Sequence, residues 1–454
     1  MNNRHHEPAK QDQASSGDNF SRGGFILAAI GSAVGLGNLW KFPYITGMYG
    51  GAAFFLLFII CLLLVGLPIL LGELVIGRGG RGSAASSLVR LSGKKAWGGF
   101  GVISIAGSFF ILSFYGVVAG WAMHYMILSF SGELFSNSDF AGQFAGFNAS
   151  WLPVLWQFVA MFLTAFVIYK GVSSGIEKFN KIFLPALVVL LVLLMIRALT
   201  MDGAAEGVSF FLRPDFSKLT GESVLVALGH AFFSLSLGMG TMITYGAYVD
   251  KRQSLGTATL AIGGGDLLYA LMAGLIIFPI TFSFGIEPGQ GPSLVFIALP
   301  AAFEAMPAGW LFGGLFFMML TFAALTSTVS LLEVPVAYIQ EKLGWGRKLT
   351  TVVVGTLCFL IGVPSALSIG QYDWLTFGGK AFFDWMDFIA SNIILPVGGF
   401  IVTIFVGYVW QQAGEEAGLT AAWFKLWIFM VRYVAPVLVL AVFLYTSGLL
   451  ELFY

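Results

Sequence analysis

Charge is in short supply in this chain. Only 10% of its 454 residues are Asp, Glu, Lys or Arg, against about 25% in soluble domains, which excludes an ordinary water-soluble globule. Thiols are scarcer still. The two cysteines, Cys61 and Cys358, lie inside apolar stretches, so a disulfide framework is excluded and buried, inert thiols are expected. Four histidines, with His5 and His6 adjacent in a polar tail, give no metal-ligand spacing. No Walker motif is present, which argues against a primary pump, and scattered Glu, His and Ser residues form no nucleophile–base motif, so the chain is not expected to be an enzyme. Neither sign of charge is in excess: Lys+Arg and Asp+Glu both number 23, and nothing points to nucleic acid.

Apolar residues are abundant. They make up 58% of the chain, with 45 Phe and 58 Gly and a mean hydropathy of +0.88. They fall into runs long enough to cross a hydrocarbon core of about 30 Å as helices. Eleven such segments are expected, near 23–48, 52–77, 99–129, 151–169, 179–198, 223–248, 256–284, 309–339, 349–369, 386–410 and 428–450. The fold class is therefore an all-α polytopic membrane protein. Residues 1–21 lack the apolar core of a signal peptide and read as a retained, mobile tail, leaving 22–454 as one transmembrane domain. The long loops 199–222 and 286–308 contain Pro214, Pro288, Pro292, Pro300 and Pro307, which suit short helices and turns over one mouth of the bundle.

Basic residues assign the sides, because inner loops retain Lys and Arg. Arg4, Lys10 and Arg22 precede segment 1, and Arg78, Arg81, Arg90, Lys94 and Lys95 follow segment 2. Lys170, Lys178 and Lys181 are expected between segments 4 and 5, Lys251 and Arg252 between 6 and 7, Lys342, Arg347 and Lys348 between 8 and 9, and Lys425 between 10 and 11. The opposite loops 131–150 and 286–308 have no Lys or Arg. A plasma-membrane protein with a cytoplasmic N-terminus and, from the odd count, an extracellular Tyr454 is expected.

Two segments carry interruptions. Segment 1 contains Gly31-Ser32-Ala33-Val34-Gly35-Leu36-Gly37-Asn38, and segment 6 contains Ser234-Leu235-Ser236-Leu237-Gly238-Met239-Gly240. Each is the first segment of a five-segment half, 22–198 and 223–410, with 428–450 as an additional helix. Paired breaks at corresponding positions point to a transporter site near the bilayer midplane. Freed backbone there must find partners, and ions or substrate can supply them. Helix packing through small residues explains Gly72, Gly116 and Gly120 well, but less well a dense Gly/Ser stretch flanked by Asn38 and Lys41 and echoed five segments later.

At these residues, GSAVGLGNLWKFPY (31–44) and GHAFFSLSLGMGTMITYGAYV (229–249) resemble the neurotransmitter:sodium symporter family, especially its bacterial amino-acid transporters. The resemblance runs from about Ser21 to the end. It implies the leucine-transporter-type fold, a 5+5 inverted repeat with discontinuous helices 1 and 6. Inverted repeats are known from a leucine-transporting member of that family, so this architecture is implied by the likeness rather than by periodicity. Eleven segments depart from the family's usual twelve, which touches only the peripheral roles of the twelfth.

The resemblance implies sodium-coupled uptake of an amino acid by alternating access, with two sodium sites beside the substrate. Sodium 1 would take the Ala33 carbonyl, Asn38, Ser234 and the substrate carboxylate, and Asp266 stands where the family commonly has an asparagine ligand. Ala270 follows one turn later, where many bacterial members place an acid, so the carboxylate has moved along the same helix face. A charge at that depth needs a partner, a cation or a proton. Its protonation after sodium leaves would carry a proton outward. Sodium 2 would take the Gly31, Val34 and Ala323 carbonyls with Thr326 and Ser327 from FAALTST (322–328). The plainer alternative for those two hydroxyls is a bond to their own helix backbone.

Substrate residues implied in the same way are Ala33, Gly35, Gly37, Ile111, Tyr115, Phe233, Ser234, Ser236, Met239, Ser327 and Leu331. Tyr115 would meet the carboxylate and Phe233 would form the lid. Gly35 replaces the aspartate of amine-transporting members. Ile111, Met239 and Leu331 would make an apolar, adaptable end. Lys41 and Asp387 match the outer gate, with Glu73 and His230 in a polar network beneath it; Glu341 matches an inner-gate acid, opposite a tail position held by Ser16. The family's chloride site corresponds to Phe58, His230, Ser234 and Ala270, and three of these depart from the pattern, so chloride is not expected. The function implied is a sodium-coupled, chloride-independent symporter of neutral, hydrophobic or aromatic L-amino acids in the lipid bilayer. The alternative is an amino-acid-binding receptor or channel without coupled transport, against which the paired breaks weigh.

Overall fold

The computed structural model describes residues 19–287, 294–370 and 372–447. Among them ten stretches are long and apolar enough to cross a membrane. They are Arg22–Met48, Ala52–Gly80, Ala96–Ser131, Leu152–Tyr169, Val172–Leu199, Leu255–Ser283, Gly309–Leu343, Arg347–Leu367, Phe382–Val409 and Ala421–Tyr445, and they correspond to segments 1–5 and 7–11. Segment 6 is the remaining expected one. Its break leaves two pieces, Gly221–Ser234 and Thr241–Ala247, each too short to span alone. In hydrocarbon every backbone group needs a partner, so uninterrupted apolar runs stay helical and only the Gly/Ser stretches depart from the helix.

Both breaks fall where the sequence places them. Segment 1 leaves the helix at Val34 (φ −80°, ψ 88°) and resumes at Gly37. In segment 6, Ser236 (φ 53°), Gly238 (φ 79°) and Gly240 (φ 77°) are left-handed. Glycine adopts that region freely, whereas a residue with a Cβ such as Ser236 does so at a cost of roughly 1–2 kcal/mol. Long segments 3 and 8 pack along each other at the centre, and segment 8 is the most enclosed of the ten spans.

The turns after segments 2, 4, 6, 8 and 10 gather at one end, called here the basic face. Arg78 donates to Gln253 O at 2.6 Å and pairs with Glu416 at 2.5 Å. Arg347 donates to Ile168 O at 2.7 Å, and Arg90 pairs with Glu341. At the other end Ala204–Leu212 and Leu294–Glu304 form the short helices expected in the Pro-containing loops, while Pro288 and Pro292 lie outside the described residues.

Several expectations need correcting. The tail is not free up to residue 21: Phe20 is buried against Phe25, Tyr245 and Tyr248, and Ser21 caps segment 1 by accepting from Gly24 N at 3.1 Å. An aromatic ring beside an apolar helix start finds a core even when its neighbours are polar. Segment 5 begins at Val172 rather than near 179, because wide helical turns run through Val172–Glu177 and carry Lys178 into the helix. Segment 11 begins at Ala421, so Lys425 sits within it. A two-strand hairpin, Thr376–Phe377 with Lys380–Ala381, is turned by Gly378 and Gly379 and is the one described departure from an all-α chain.

Candidate functional site

The breaks in segments 1 and 6 face each other, and their loose ends are tied to segments 2, 3 and 8. Leu36 N donates to Tyr115 OH at 2.9 Å, and Gly238 N donates to a Glu73 carboxylate oxygen at 2.6 Å. The Ser32 carbonyl accepts from Ser236 Oγ at 3.0 Å and Ser327 Oγ at 3.3 Å, while Ser32 Oγ donates to Ser330 Oγ at 2.7 Å. Ser32 is therefore a junction between three segments. It lies inside the motif yet had no role in the sequence reading; its position between two expected ligands was the available signal.

A small cavity of about 20 Å³ lies between these pieces. It is lined by Ala33, Gly35, Gly37, Ile111, Tyr115, Phe233, Ser234, Ser236, Met239, Ser327 and Leu331, the whole set expected at the substrate, together with Ser32. Gly35 is bare for a reason: a Cβ there would lie 2.4 Å from Ser327 Oγ and 2.7 Å from Tyr115 OH. One end of the lining offers hydroxyls and freed backbone. Ile111, Met239 and Leu331 make the other end apolar. Above it the Phe233 ring lies 5.0 Å from Lys41 Nζ, and Lys41 pairs with Asp387 at 3.8 Å. The two residues expected at the outer gate are thus in contact beside the Phe233 ring.

Beside the cavity, Asn38, Ser234 and Asp266 converge. Asn38 Nδ2 donates to Asp266 Oδ1 at 2.9 Å and to the Asp266 carbonyl at 3.2 Å. Ser234 Oγ lies 2.6 Å from Asp266 Oδ1 and 2.8 Å from Asn38 Oδ1, with a single proton to share between them. Asp266 is fully buried, and its Oδ2 has no hydrogen-bond partner among the described residues. Burying an unpaired carboxylate costs several kcal/mol, which a cation held among these oxygens would offset. The donor set of carboxylate, amide and hydroxyl oxygens fits a hard ion such as sodium.

The second expected group is arranged less fully. Thr326 Oγ1 donates to Ala323 O at 2.9 Å, a bond within its own helix, while Ser327 Oγ crosses to segment 1. A hydroxyl that spends its proton on the backbone still presents lone pairs to a cation. Gly31 and Val34 lie at the end of the first half of segment 1, and Gly31 comes near Thr326.

Other placements differ from expectation. His230 is not in a polar network: its ring stacks on Phe42 at 5.6 Å and lies 5.0 Å from Phe58, and neither nitrogen has a partner among the described residues. Glu73 serves the backbone of the segment 6 break. Glu341 accepts from Ser83 N at 2.9 Å and Ser86 Oγ at 2.6 Å as well as from Arg90, all in or beside the helix Ala84–Ser92 that follows segment 2. Ser16, the expected position opposite it, lies outside the described residues. A second inner cluster escaped the sequence reading: buried Glu333 pairs with Arg347 and accepts from Tyr248 OH at 2.7 Å.

Comparison with known proteins agrees in one direction. The model of the sodium:neurotransmitter symporter family matches residues 18–139 and 148–450. The chain is 40% identical to the uncharacterized sodium-dependent transporter YhdH of Bacillus subtilis, over 95% of this chain and 98% of that one. It is 33% identical to the uncharacterized sodium-dependent transporter MJ1319 of Methanocaldococcus jannaschii, over 94% and 90%. The crystal structure of MhsT in complex with L-phenylalanine superposes with a TM-score of 0.88 at 46% identity, covering 94% of this chain and 99% of that one. That likeness gives the leucine-transporter-type fold. With the family model matched over nearly its whole length, the chain belongs to the sodium:neurotransmitter symporter family.

Proposed function

We propose that this chain couples inward movement of sodium to uptake of a neutral amino acid with an apolar or aromatic side chain, and that it does so without chloride. The observation that carries the reading is the cavity between the two breaks, with the Asn38–Ser234–Asp266 oxygens beside it. The amino-acid carboxylate would accept a hydrogen bond from the Tyr115 hydroxyl and ligate the first sodium, the amino group would donate to freed carbonyls, and the side chain would lie toward Ile111, Met239 and Leu331. Sharing the carboxylate makes ion and substrate affinities mutually dependent. The solved relative's bound L-phenylalanine supports the side-chain class. The basic face would be cytoplasmic and the Lys41–Asp387 end external, with two sodium sites beside the substrate.

Against chloride stand Phe58 and His230, whose rings lie 5.0 Å apart, and buried Ala270, which bring no hydroxyl or amide donor to those positions, while Asp266 would add a negative charge of its own. The test is uptake into proteoliposomes, screened across neutral amino acids. A sodium gradient should drive accumulation against the substrate gradient. Equal uptake with potassium on both sides refutes the coupling, and a ranking of glutamate or lysine above leucine, tyrosine and tryptophan refutes the substrate class.

A further inference from the structure

Segment 5 contributes no residue to either expected sodium site, yet one of its side chains reaches the second. Asn180 is fully buried, and its Nδ2 donates to Ile176 O at 2.9 Å, one turn back. That bond fixes the amide orientation, since exchanging oxygen and nitrogen would set two acceptors against each other. Oδ1 therefore faces away from its own turn, and it meets no donor among the described residues. It fills the place of a missing side chain at Gly31: a Cβ built there lies 2.1 Å from Asn180 Oδ1 and 3.5 Å from Thr326 Cβ. An amide oxygen buried without a partner costs about 1–3 kcal/mol, a cost that an apolar residue at this position would not incur.

We propose that Asn180 Oδ1 is a further ligand of the second cation, closing that site from the side of segment 5. The inference rests on the sodium-coupled reading. A neutral carbonyl-type oxygen suits a hard monovalent cation and adds to the Gly31, Val34, Ala323, Thr326 and Ser327 oxygens without adding charge. It also changes what the ion does mechanically. Glu177, one turn before Asn180, already accepts from Ser21 N at 2.8 Å and Ser21 Oγ at 2.5 Å, so segment 5 holds the start of segment 1. An ion bound through Asn180 holds the other end of the same half-helix. Its departure leaves the half-helix held at its start alone.

The test uses the purified full chain in detergent, with sodium titrated against choline at constant ionic strength and read by binding of radioactive sodium and by thermal stabilisation. Asn180→Ala is expected to raise the sodium concentration for half-maximal response about tenfold, the scale of one lost hydrogen-bond-strength contact. Asn180→Asp keeps the oxygen facing the ion but sets a second acceptor against the Ile176 carbonyl, so it is expected to melt lower in choline and still to bind sodium more tightly than Asn180→Ala. Should Asn180→Ala fail to fold, Asn180→Ser and Asn180→Leu carry the same comparison. A folded Asn180→Ala or Asn180→Leu that titrates like the wild type overturns the proposal. A wild type that responds identically to sodium and choline overturns the sodium reading itself, so the two failures are distinct.

Discussion

Replacing Gly35 with alanine probes the cavity at its tightest point. The added methyl would lie 2.4 Å from Ser327 Oγ and 2.7 Å from Tyr115 OH, closer than real Cβ contacts come. Ser327 can rotate away, giving up its 3.3 Å bond to the Ser32 carbonyl. Tyr115 has less freedom, because its hydroxyl ends a rigid ring in a buried stretch of segment 3. The ring must shift, and the 2.9 Å bond from Leu36 N is lost. An orphaned buried N–H costs the free protein about 1–3 kcal/mol, and a displaced hydroxyl would forfeit the proposed charge-assisted bond to the substrate carboxylate, worth about 1.5–3 kcal/mol. Substrate affinity should therefore fall about 10- to 150-fold. Tyr115→Phe removes the obstructing oxygen, so adding Gly35→Ala to it should cost less than the sum of the single changes, with a coupling of at least about 0.5 kcal/mol. The measurement is binding of radiolabelled phenylalanine to purified protein at saturating sodium. Gly35→Ala within twofold of wild type, or penalties that simply add, would refute the claim that this position is kept bare for the Tyr115 hydroxyl.

Uptake should persist when chloride is replaced by gluconate at constant sodium, and Asp266→Asn combined with Ala270→Ser should gain a chloride response; loss of wild-type uptake in gluconate would show the anion argument to be wrong. Glu333→Ala removes a buried partner of Arg347 and Tyr248 and should destabilise the packing at the basic face by about 3–5 kcal/mol, read as faster labelling of a cysteine introduced at that face and a lower melting temperature. Unchanged labelling and melting would remove Glu333 from any role in closure.

What could be read beforehand was whatever leaves a mark in local composition. The breaks were legible because Gly and Ser crowd two otherwise apolar runs, and residues in or beside those motifs come together around the cavity. Asn180 was not legible. It sits in a run that reads only as a spanning helix, and its meaning depends on the missing side chain of Gly31 in another segment. The partner of Glu341 was hidden in the same way, since Arg90 belongs to a short helix after segment 2 that hydropathy registers as loop. His230 misled because a titratable residue suggests a polar network, whereas aromatic rings from segments 1 and 2 enclose it. Fold is written in periodicity, but pairing across segments is set by depth and rotation, which a run of apolar residues does not encode.

Phe20 has a consequence for how often the molecule changes face. Its ring is lodged among Tyr245, Tyr248 and Phe25, and its N–H is bonded to the Tyr248 carbonyl at 3.2 Å. Any swing of the first half of segment 1 away from segment 6 must draw that ring into a less apolar setting, at about 1.5–3 kcal/mol for a phenylalanine side chain. On the proposed alternating-access reading the plug would act as a detent, weighting the shut arrangement by up to about 150-fold before any cargo arrives. Cargo that binds shut and open forms equally leaves that ratio untouched, so only its differential affinity can overcome the detent. A molecule trimmed past Phe20 would lose this bias, open more often without cargo and leak, while its preference among substrates stayed the same.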